Sequence, residues 1–404
     1  TGRTRGAQRA GLGVYAGAGT VDGAYKIQAL GSVTEDNVQI TWSADANTTV
    51  ANAWELGLSP GQVAVADIAR DDYGNIYVLG AVDSVFKFNS DGGLIATIAI
   101  PSDVSGSAGA PPVCVAVDEY QNVFVGRGSG SGSALTEARI YAFEYKIDST
   151  YGLAWSGASG EYIQDIAIFE GDLLLATSVA PGATAIYLRV YPGYTMTEAP
   201  AVDASKEWTD STGGHADEDV RHQRLAVRDD GIVYMSVCGV DTGVEPPVQK
   251  YGRVVKINPY AADPSTAVWD TINTGSSGHY AGIGCGIALG PTATDAAGYR
   301  SIYTTGNVIG SESTKANVRR IIDRGSALDV TGDHWAVSFG SSAVGWKVAG
   351  TADSYRLRLD TDEDDRLYVP YGIDDDNSTF DNDSFIVFDT DGDVTNSVKG
   401  LGGI

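Results

Sequence analysis

The chain is poor in side chains that hold metals or carry redox chemistry: among 404 residues there are 4 histidines, 3 cysteines and 2 methionines. Cys114, Cys238 and Cys285 lie far apart, each in an apolar stretch (VCVAV, MSVCGV, GIGCGI). An odd count without CxxC spacing excludes a disulfide framework and a cysteine zinc site, leaving buried strand thiols. His215, His222, His279 and His334 match no HExxH or other metal spacing. Two of them, His215 and His222, share the polar stretch GGHADEDVRHQR (213–224) with Asp217, Glu218 and Asp219, which reads as a solvated loop. GxSxG, GxGxxG and P-loop patterns are absent, so nucleophile-elbow, dinucleotide and ATP readings have no motif to stand on. No apolar run approaches the ~18 residues of a membrane span, no basic-then-apolar signal segment opens the chain, and no heptads predict long helices.

Positive charge is also scarce. Against 52 acidic residues stand 27 basic ones, a formal net charge of −25, which repels a phosphate backbone and excludes nucleic acid as a partner. The acid is mostly Asp, 39 against 13 Glu, and the base mostly Arg, 18 against 9 Lys. That bias fits Asp-rich turns and equally a protein kept soluble in salty water. What the chain has in quantity is 51 glycines and 21 tyrosines against 13 prolines, a composition of strands joined by tight turns.

An internal repeat organises those strands. Six segments share an apolar-Ala-apolar strand, an acidic or Gly-containing turn and a β-branched or aromatic strand: 66–80, 115–126, 165–176, 224–235, 286–304 and 357–369. The first apolar residues of the second strands, Ile76, Val123, Leu173, Ile232, Ile302 and Leu367, are spaced by 47, 50, 59, 70 and 65 residues, the length of a four-stranded blade with variable loops. A third alternating strand follows in each unit (85–92, 139–148, 185–193, 253–260, 318–325, 385–392). Trp155, Trp208, Trp269 and Trp335 fall where a fourth strand belongs and read as aromatic wedges between sheets. Ala69, Ala116, Ala167, Ala226 and Ala288 recur at one place in the first strand, where a small residue lets inner strands crowd an axis; Arg358 breaks the series and is expected to face a channel.

The expected fold is therefore an all-β propeller of four-stranded antiparallel blades, six complete and one partial, with residues 13–404 forming a single domain. Residues 13–60 form the partial first unit: 13–31 matches 76–92 as strands two and three, and VQITW (38–42) supplies strand four, so the ring is six- or seven-bladed. Its missing inner strand is expected from outside the sequence or from a partner. GRGSGSGSA (126–134) reads as a flexible loop.

Three further features are candidates for function. Asp360, Asp362 and Asp364, and the turn Asp389, Asp391 and Asp393, have alternate carboxylates suited to Ca2+, but Gly392 sits at the fourth position and no Glu closes either loop. An Asp-Gly hairpin accounts for them equally, so no metal site is assigned and calcium stays a candidate ligand. Residues 353–393 carry 14 acids against 3 arginines, a surface suited to a basic partner. Residues 1–12 hold Arg3, Arg5 and Arg9, with no acid before Asp22, and form a basic arm able to dock on an acidic neighbour, such as another copy of this chain. Sequons begin at Asn47, Asn377 and Asn382 and matter only in a glycosylating host.

The pattern VAVDEYQNVFVG, followed by an apolar strand and a turn such as FNSDG, resembles NHL-type β-propellers over nearly the whole chain. That resemblance implies a disc with a central channel used as a binding platform, in some members with a lyase or lactonase site. The units here are longer, and the family's metal-binding histidines match no positions in this sequence. The opening TGRTRGAQRAGLGVYAG (1–17), followed by Gly23 and IQAL (27–30), is similar to the entry into the propeller of structural, tail nozzle-type proteins of tailed bacteriophages. This resemblance implies a virion component whose partners are other virion proteins, copies of itself and a host-surface glycan or protein. The rival expectation is a secreted propeller that binds a glycan or peptide, with calcium-dependent hydrolase or lyase activity as one form of it.

Overall fold

The computed structural model describes residues 63–80, 84–101, 112–127, 138–158, 161–178, 186–210, 220–241, 248–262, 268–273, 286–293, 299–305 and 318–325. It also describes 328–329, 336–337, 359–362, 364–373, 382–389, 391 and 394–399, and two-residue strands at 15–16, 25–26, 32–33, 42–43 and 49–50. Six antiparallel sheets follow one another along the chain, each a meander in which strands pair in sequence order. Their inner strands are Val63–Arg70, Pro112–Val117, Tyr162–Phe169, Val220–Val227, Gly286–Ala293 and Asp360–Thr361. The second strands are Ile76–Gly80, Val123–Arg127, Asp172–Ser178, Val233–Asp241, Arg300–Thr305 and Leu367–Ile373, where the repeat placed them. Third strands run Ser84–Phe88, Arg139–Tyr145, Ile186–Tyr191, Val248–Ile257, Val318–Asp323 and Asn382–Phe388.

Period-2 alternation explains how these sheets stack. In the second sheet Val123 and Val125 join a cluster with Ala69, Tyr77, Leu79 and Val85 of the first sheet. Phe124, between them, points the other way, into a cluster with Ile163, Ile166, Leu173 and Leu175 of the third. Similar clusters join the third sheet to the fourth through Leu174, Leu188 and Met235, and the fourth to the fifth through Tyr234, Val254 and Ile302. Sheets two, three and four thus bury both faces, one against the predecessor and one against the successor, and the inner strands contact one another in chain order. Asp360 of the sixth sheet lies close enough to Arg70 of the first for the guanidinium charge to lower its pKa. The fold is a β-propeller, and the sheets are called blades one to six below.

Ala69, Ala116, Ala167, Ala226 and Ala288 are all buried beside the axis, as the repeat predicted. Trp155 and Trp208 lie in the fourth strands Tyr151–Ala158 and Trp208–Asp210 and are buried in blade-to-blade clusters. Trp269 lies in the fourth strand Val268–Asn273, whereas Trp335 and Arg358 fall outside the described residues. Within the N-terminal unit, Tyr15–Ala16 pairs with Tyr25–Lys26, as expected of strands two and three. The expected fourth strand differs: Trp42–Ser43 pairs with Thr49–Val50, across a sequence (ADAN) rich in turn formers, and Ser32–Val33 pairs with the inner strand of blade one.

Candidate interaction face

The hairpins joining strands one and two, and those joining strands three and four, leave the same edge of every sheet, so their turns form one face of the ring. Four of the first kind are built alike. The amides of Asp71, Asp118, Arg228 and Asp362 donate to the carbonyls of Asn75, Asn122, Ile232 and Arg366, at 2.8–3.1 Å. In blades one and two the Asp side chain then ties the turn. Asp71 Oδ1 accepts from the amides of Tyr73 (3.0 Å) and Asn75 (2.8 Å), and its Oδ2 from Asn75 Nδ2 (2.7 Å) and Tyr77 Oη (3.0 Å). Asp118 repeats this with Tyr120, Asn122 and, from blade three, Tyr194 Oη at 2.8 Å. Burial raises the Asp118 pKa, and these hydrogen bonds oppose that shift. A turn fixed at this many points holds its tip residue rigidly, and the tips are aromatic: Tyr73 and Tyr120 are each 68% exposed. Ile147, in the neighbouring strand three–four turn of blade two, is fully exposed.

The fourth residue of each of these turns has positive φ: Gly74 (86°), Gln121 (69°), Gly231 (83°) and Asp365 (62°). Glycine adopts this conformation freely and other residues pay for it, so the two exceptions call for a reason. Both make contact with the preceding blade. Gln121 Oε1 accepts from Lys87 Nζ of blade one at 2.6 Å. The Asp365 carbonyl accepts from Tyr303 Oη of blade five at 3.3 Å, while its buried carboxylate would lie 2.4 Å from a Cβ at Gly290. Burial pushes the Asp365 carboxyl up to about 6. At Gly231 a Cβ would meet Phe169 of blade three at 2.8 Å and Tyr260 at 2.9 Å, so no side chain fits.

Lysines form two of the seams beneath this face. Lys87 and Lys256 occupy the same position of the third strand, paired across the sheet with Tyr77 and Tyr234. Lys87 Nζ lies 5.2, 4.5 and 5.5 Å from the ring centroids of Tyr77, Tyr145 and Tyr151 and donates to Tyr151 Oη at 3.1 Å. Burial lowers its pKa, while the charge on Asp71 raises it. Lys256 Nζ instead donates to Asp323 Oδ1 of blade five at 2.8 Å and to the Gly325 carbonyl at 2.7 Å. Asp323 Oδ2 also takes Tyr234 Oη and, at 3.2 Å, Arg228 Nη1.

At the axis the inner strands carry charge. Arg224 of blade four, 2% exposed, places Nη1 3.5 Å from Asp165 Oδ1 of blade three and 3.9 Å from Asp67 Oδ1 of blade one, three blades round the ring. Both carboxylates are anchored further: Asp67 Oδ2 accepts from the Val115 amide (2.9 Å) and Asp165 Oδ2 from the Leu225 amide (2.7 Å) of the next blade. The axis is therefore occupied at this level by a buried ionic triad.

Between blades three and four the turn face opens into a groove of about 470 Å³ lined by Phe169, Glu170, Asp172, Lys206, Asp229, Asp230 and Tyr260. Phe169 and Tyr260 form its aromatic wall, with ring centroids 5.5 Å apart. Glu170 and Gly171 make a two-residue hairpin with φ of 47° and 87°, between the paired residues Phe169 and Asp172. Lys206 Nζ lies 5.2 Å from the Tyr260 centroid and 3.9 Å from Asp172. Hydrogen bonds from Arg228 hold the Asp230 carboxyl below its ordinary value. Burial, and then the neighbouring Asp172 charge, hold the Tyr260 hydroxyl above its own, so it stays protonated.

The sequence-predicted candidates are dispersed by this arrangement. Asp362 ties the blade-six turn: it accepts from the amides of Asp364 and Arg366, from Arg366 Nε at 2.8 Å and from Tyr368 Oη at 2.9 Å. Asp364 pairs with the same arginine at 2.6 Å. Asp360 is bound to the Thr361 amide, and burial raises its carboxyl to about 7. Asp389 accepts from the Asp391 amide at 3.0 Å, as an Asp-Gly hairpin does, and Asp393 lies outside the described residues. Among the described residues no three His, Cys, Asp or Glu side chains gather to hold a metal ion. Cys114 is buried in the inner strand of blade two; Cys238 and His222 lie in strands; Cys285, His215, His279, His334, Asn47, Asn377 and residues 1–12 fall outside the described residues. No helix among the described residues is long and apolar enough to cross a membrane.

Sequence reasoning missed the triad and the seam lysines. One signal was present: in ADIA, QDIA and QRLA a charged residue stands two before the recurrent alanine, at Asp67, Asp165 and Arg224.

No family model matches the chain, and no curated protein matches it. Solved structures do. A protein of unknown function from Bacteroides caccae matches at 11% identity over 92% of each chain, with a TM-score of 0.43. BamB from Moraxella catarrhalis matches at 12% identity over 96% of this chain and 93% of its own, with a TM-score of 0.41. A quinoprotein alcohol dehydrogenase-like protein from Bacteroides thetaiotaomicron matches at 13% identity over 91% and 76%, with a TM-score of 0.44. At these identities the likeness concerns the fold, and function does not follow from it.

Proposed function

We propose that this chain is a structural and interaction component of a virus particle, namely a propeller in the tail of a tailed bacteriophage that contacts copies of itself and other virion proteins. The observation that carries the reading is the turn face, where Tyr73 and Tyr120 stand exposed on turns tied down by buried Asp71 and Asp118, beside the exposed Ile147 of the neighbouring turn. Exposed aromatics on a rigid frame give contact area with little ordering cost, as protein interfaces require. The seams support the mechanical half of the reading. Blades one to five share hydrophobic faces, and several share buried hydrogen bonds, with their neighbours, so shear is resisted at these joints. The NHL-like blades and the phage-like entry at residues 1–17 agree with this role.

A second reading, a secreted propeller that binds a glycan or peptide, is favoured by the aromatic-walled groove between blades three and four. Sedimentation of the native source material, with this chain followed by peptide mass spectrometry, separates the two. Co-migration with megadalton particles is the expected result; a position near 42 kDa would overturn the virion role and leave the second reading.

A further inference from the structure

We infer that the groove between blades three and four is a seat for arginine side chains, and that its occupant is the basic segment, residues 1–12, of a second copy of this chain. The inference names a partner for the turn face and so rests on the interaction role proposed above. Four carboxylates, Glu170, Asp172, Asp229 and Asp230, line the groove against one cation of its own, Lys206. Asp230 is engaged by Arg228 at 2.6 and 2.7 Å, and Asp172 accepts from the Gly193 amide at 2.8 Å. Glu170 and Asp229 stand exposed at the rim, and Asp229 lies 3.9 Å from Arg300.

The groove already accepts a cation. Lys206 sits over the Tyr260 ring and beside Asp172, so this wall already holds one cation between an aromatic face and a carboxylate, and Glu170 and Asp229 at the rim are the carboxylates left for an incoming guanidinium. The volume of about 470 Å³ lies in the range of built ligand sites and exceeds what one ammonium group fills. Arg3, Arg5 and Arg9 make residues 1–12 the complementary piece of this chain, since no acid precedes Asp22. A chain's own N-terminal region joins the ring at blade one, where Ser32–Val33 pairs with the inner strand, whereas the groove lies at blades three and four. Seating of a second copy's segment in this groove, repeated from copy to copy, would link copies head to tail.

The test uses the full chain carrying Arg3→Gln, Arg5→Gln and Arg9→Gln, so that its own segment does not compete. A fluorescein-labelled peptide of residues 1–12 is titrated into it at about 50 mM salt and again at higher salt. Binding that weakens with salt is expected, and adding Glu170→Gln with Asp229→Asn should weaken it at least about tenfold. Asp91→Asn, on the blade-one turn, should change nothing, and thermal melts confirm that each variant folds. No binding, or equal binding by the groove variant, would overturn the site. Sedimentation velocity of the arm variant mixed with the groove variant then tests the second copy. Hetero-association of two otherwise monomeric variants is expected; peptide binding without any association of the unaltered chain would mean that the segment folds back on its own ring and would overturn the intermolecular claim. Neither failure bears on co-migration with particles, which tests the interaction role separately.

Discussion

The seam between blades one and two and the seam between blades four and five start from the same pair of residues, a strand-two tyrosine and a strand-three lysine, and solve the burial of the lysine differently. Lys87 is surrounded by three tyrosine rings and the neutral Gln121, whereas Lys256 is neutralised by Asp323. A buried charge needs compensation, and two routes are open: distribute it over aromatic faces and amide dipoles, or pair it with an opposite charge. In the aromatic route burial lowers the lysine pKa, and the charge on Asp71 opposes that shift. In the ionic route each member depends on the other, because removing one strands its partner.

The largest effect is expected at the ionic seam. Asp323→Ala leaves Lys256 and Arg228 facing each other without their shared acceptor and should cost about 3–5 kcal/mol in urea unfolding. Replacing both partners, Lys256→Met with Asp323→Leu, should recover most of that loss, since an apolar pair of similar volume avoids the desolvation. A double variant as unstable as Asp323→Ala would show that the seam depends on the ion pair itself. Lys87→Met should be milder, about 1–2 kcal/mol, because it removes cation–π contacts without stranding a charge. Gln121→Gly relieves the positive φ but removes the acceptor for Lys87, so the two changes should offset to within about 1 kcal/mol.

A separate expectation concerns pH at the blade five–six contact. Asp365 has a folded pKa of about 6 against an ordinary value of 3.8. Between those values the folded state holds the proton more tightly than the unfolded chain, so this group's contribution to stability is present below pH 3.8 and is lost as pH rises to about 6. Asp365→Asn should therefore flatten the fall in melting temperature between pH 4 and 6 and raise stability at pH 7. An unchanged slope would mean that Asp360, with a carboxyl raised to about 7, carries the dependence.

The repeat was legible because it rests on properties local to each strand: apolar alternation, a small residue near the axis and a turn former every few residues. Ile76, Val123 and Leu367 could be placed in equivalent strands from spacing alone. The carboxylates were harder. Asp362 and Asp364 look like calcium ligands in a line of sequence, yet Arg366 and Tyr368 take them up within the same hairpin. The seam lysines were illegible because Lys87 meets Gln121 and Tyr151, and Lys256 meets Asp323, only after separate blades stack. For the groove the sequence offered one hint, a glutamate in the place before Gly171 where asparagine is the usual turn residue.

The ionic triad on the axis has a consequence for biosynthesis. Asp67 and Asp165 emerge from the ribosome well before Arg224, so a nascent chain of three blades that closed early would bury two carboxylates with no cation between them. Early closure of such a fragment would cost the desolvation of both carboxylates, and the arginine of the fourth blade is the group that offsets that cost.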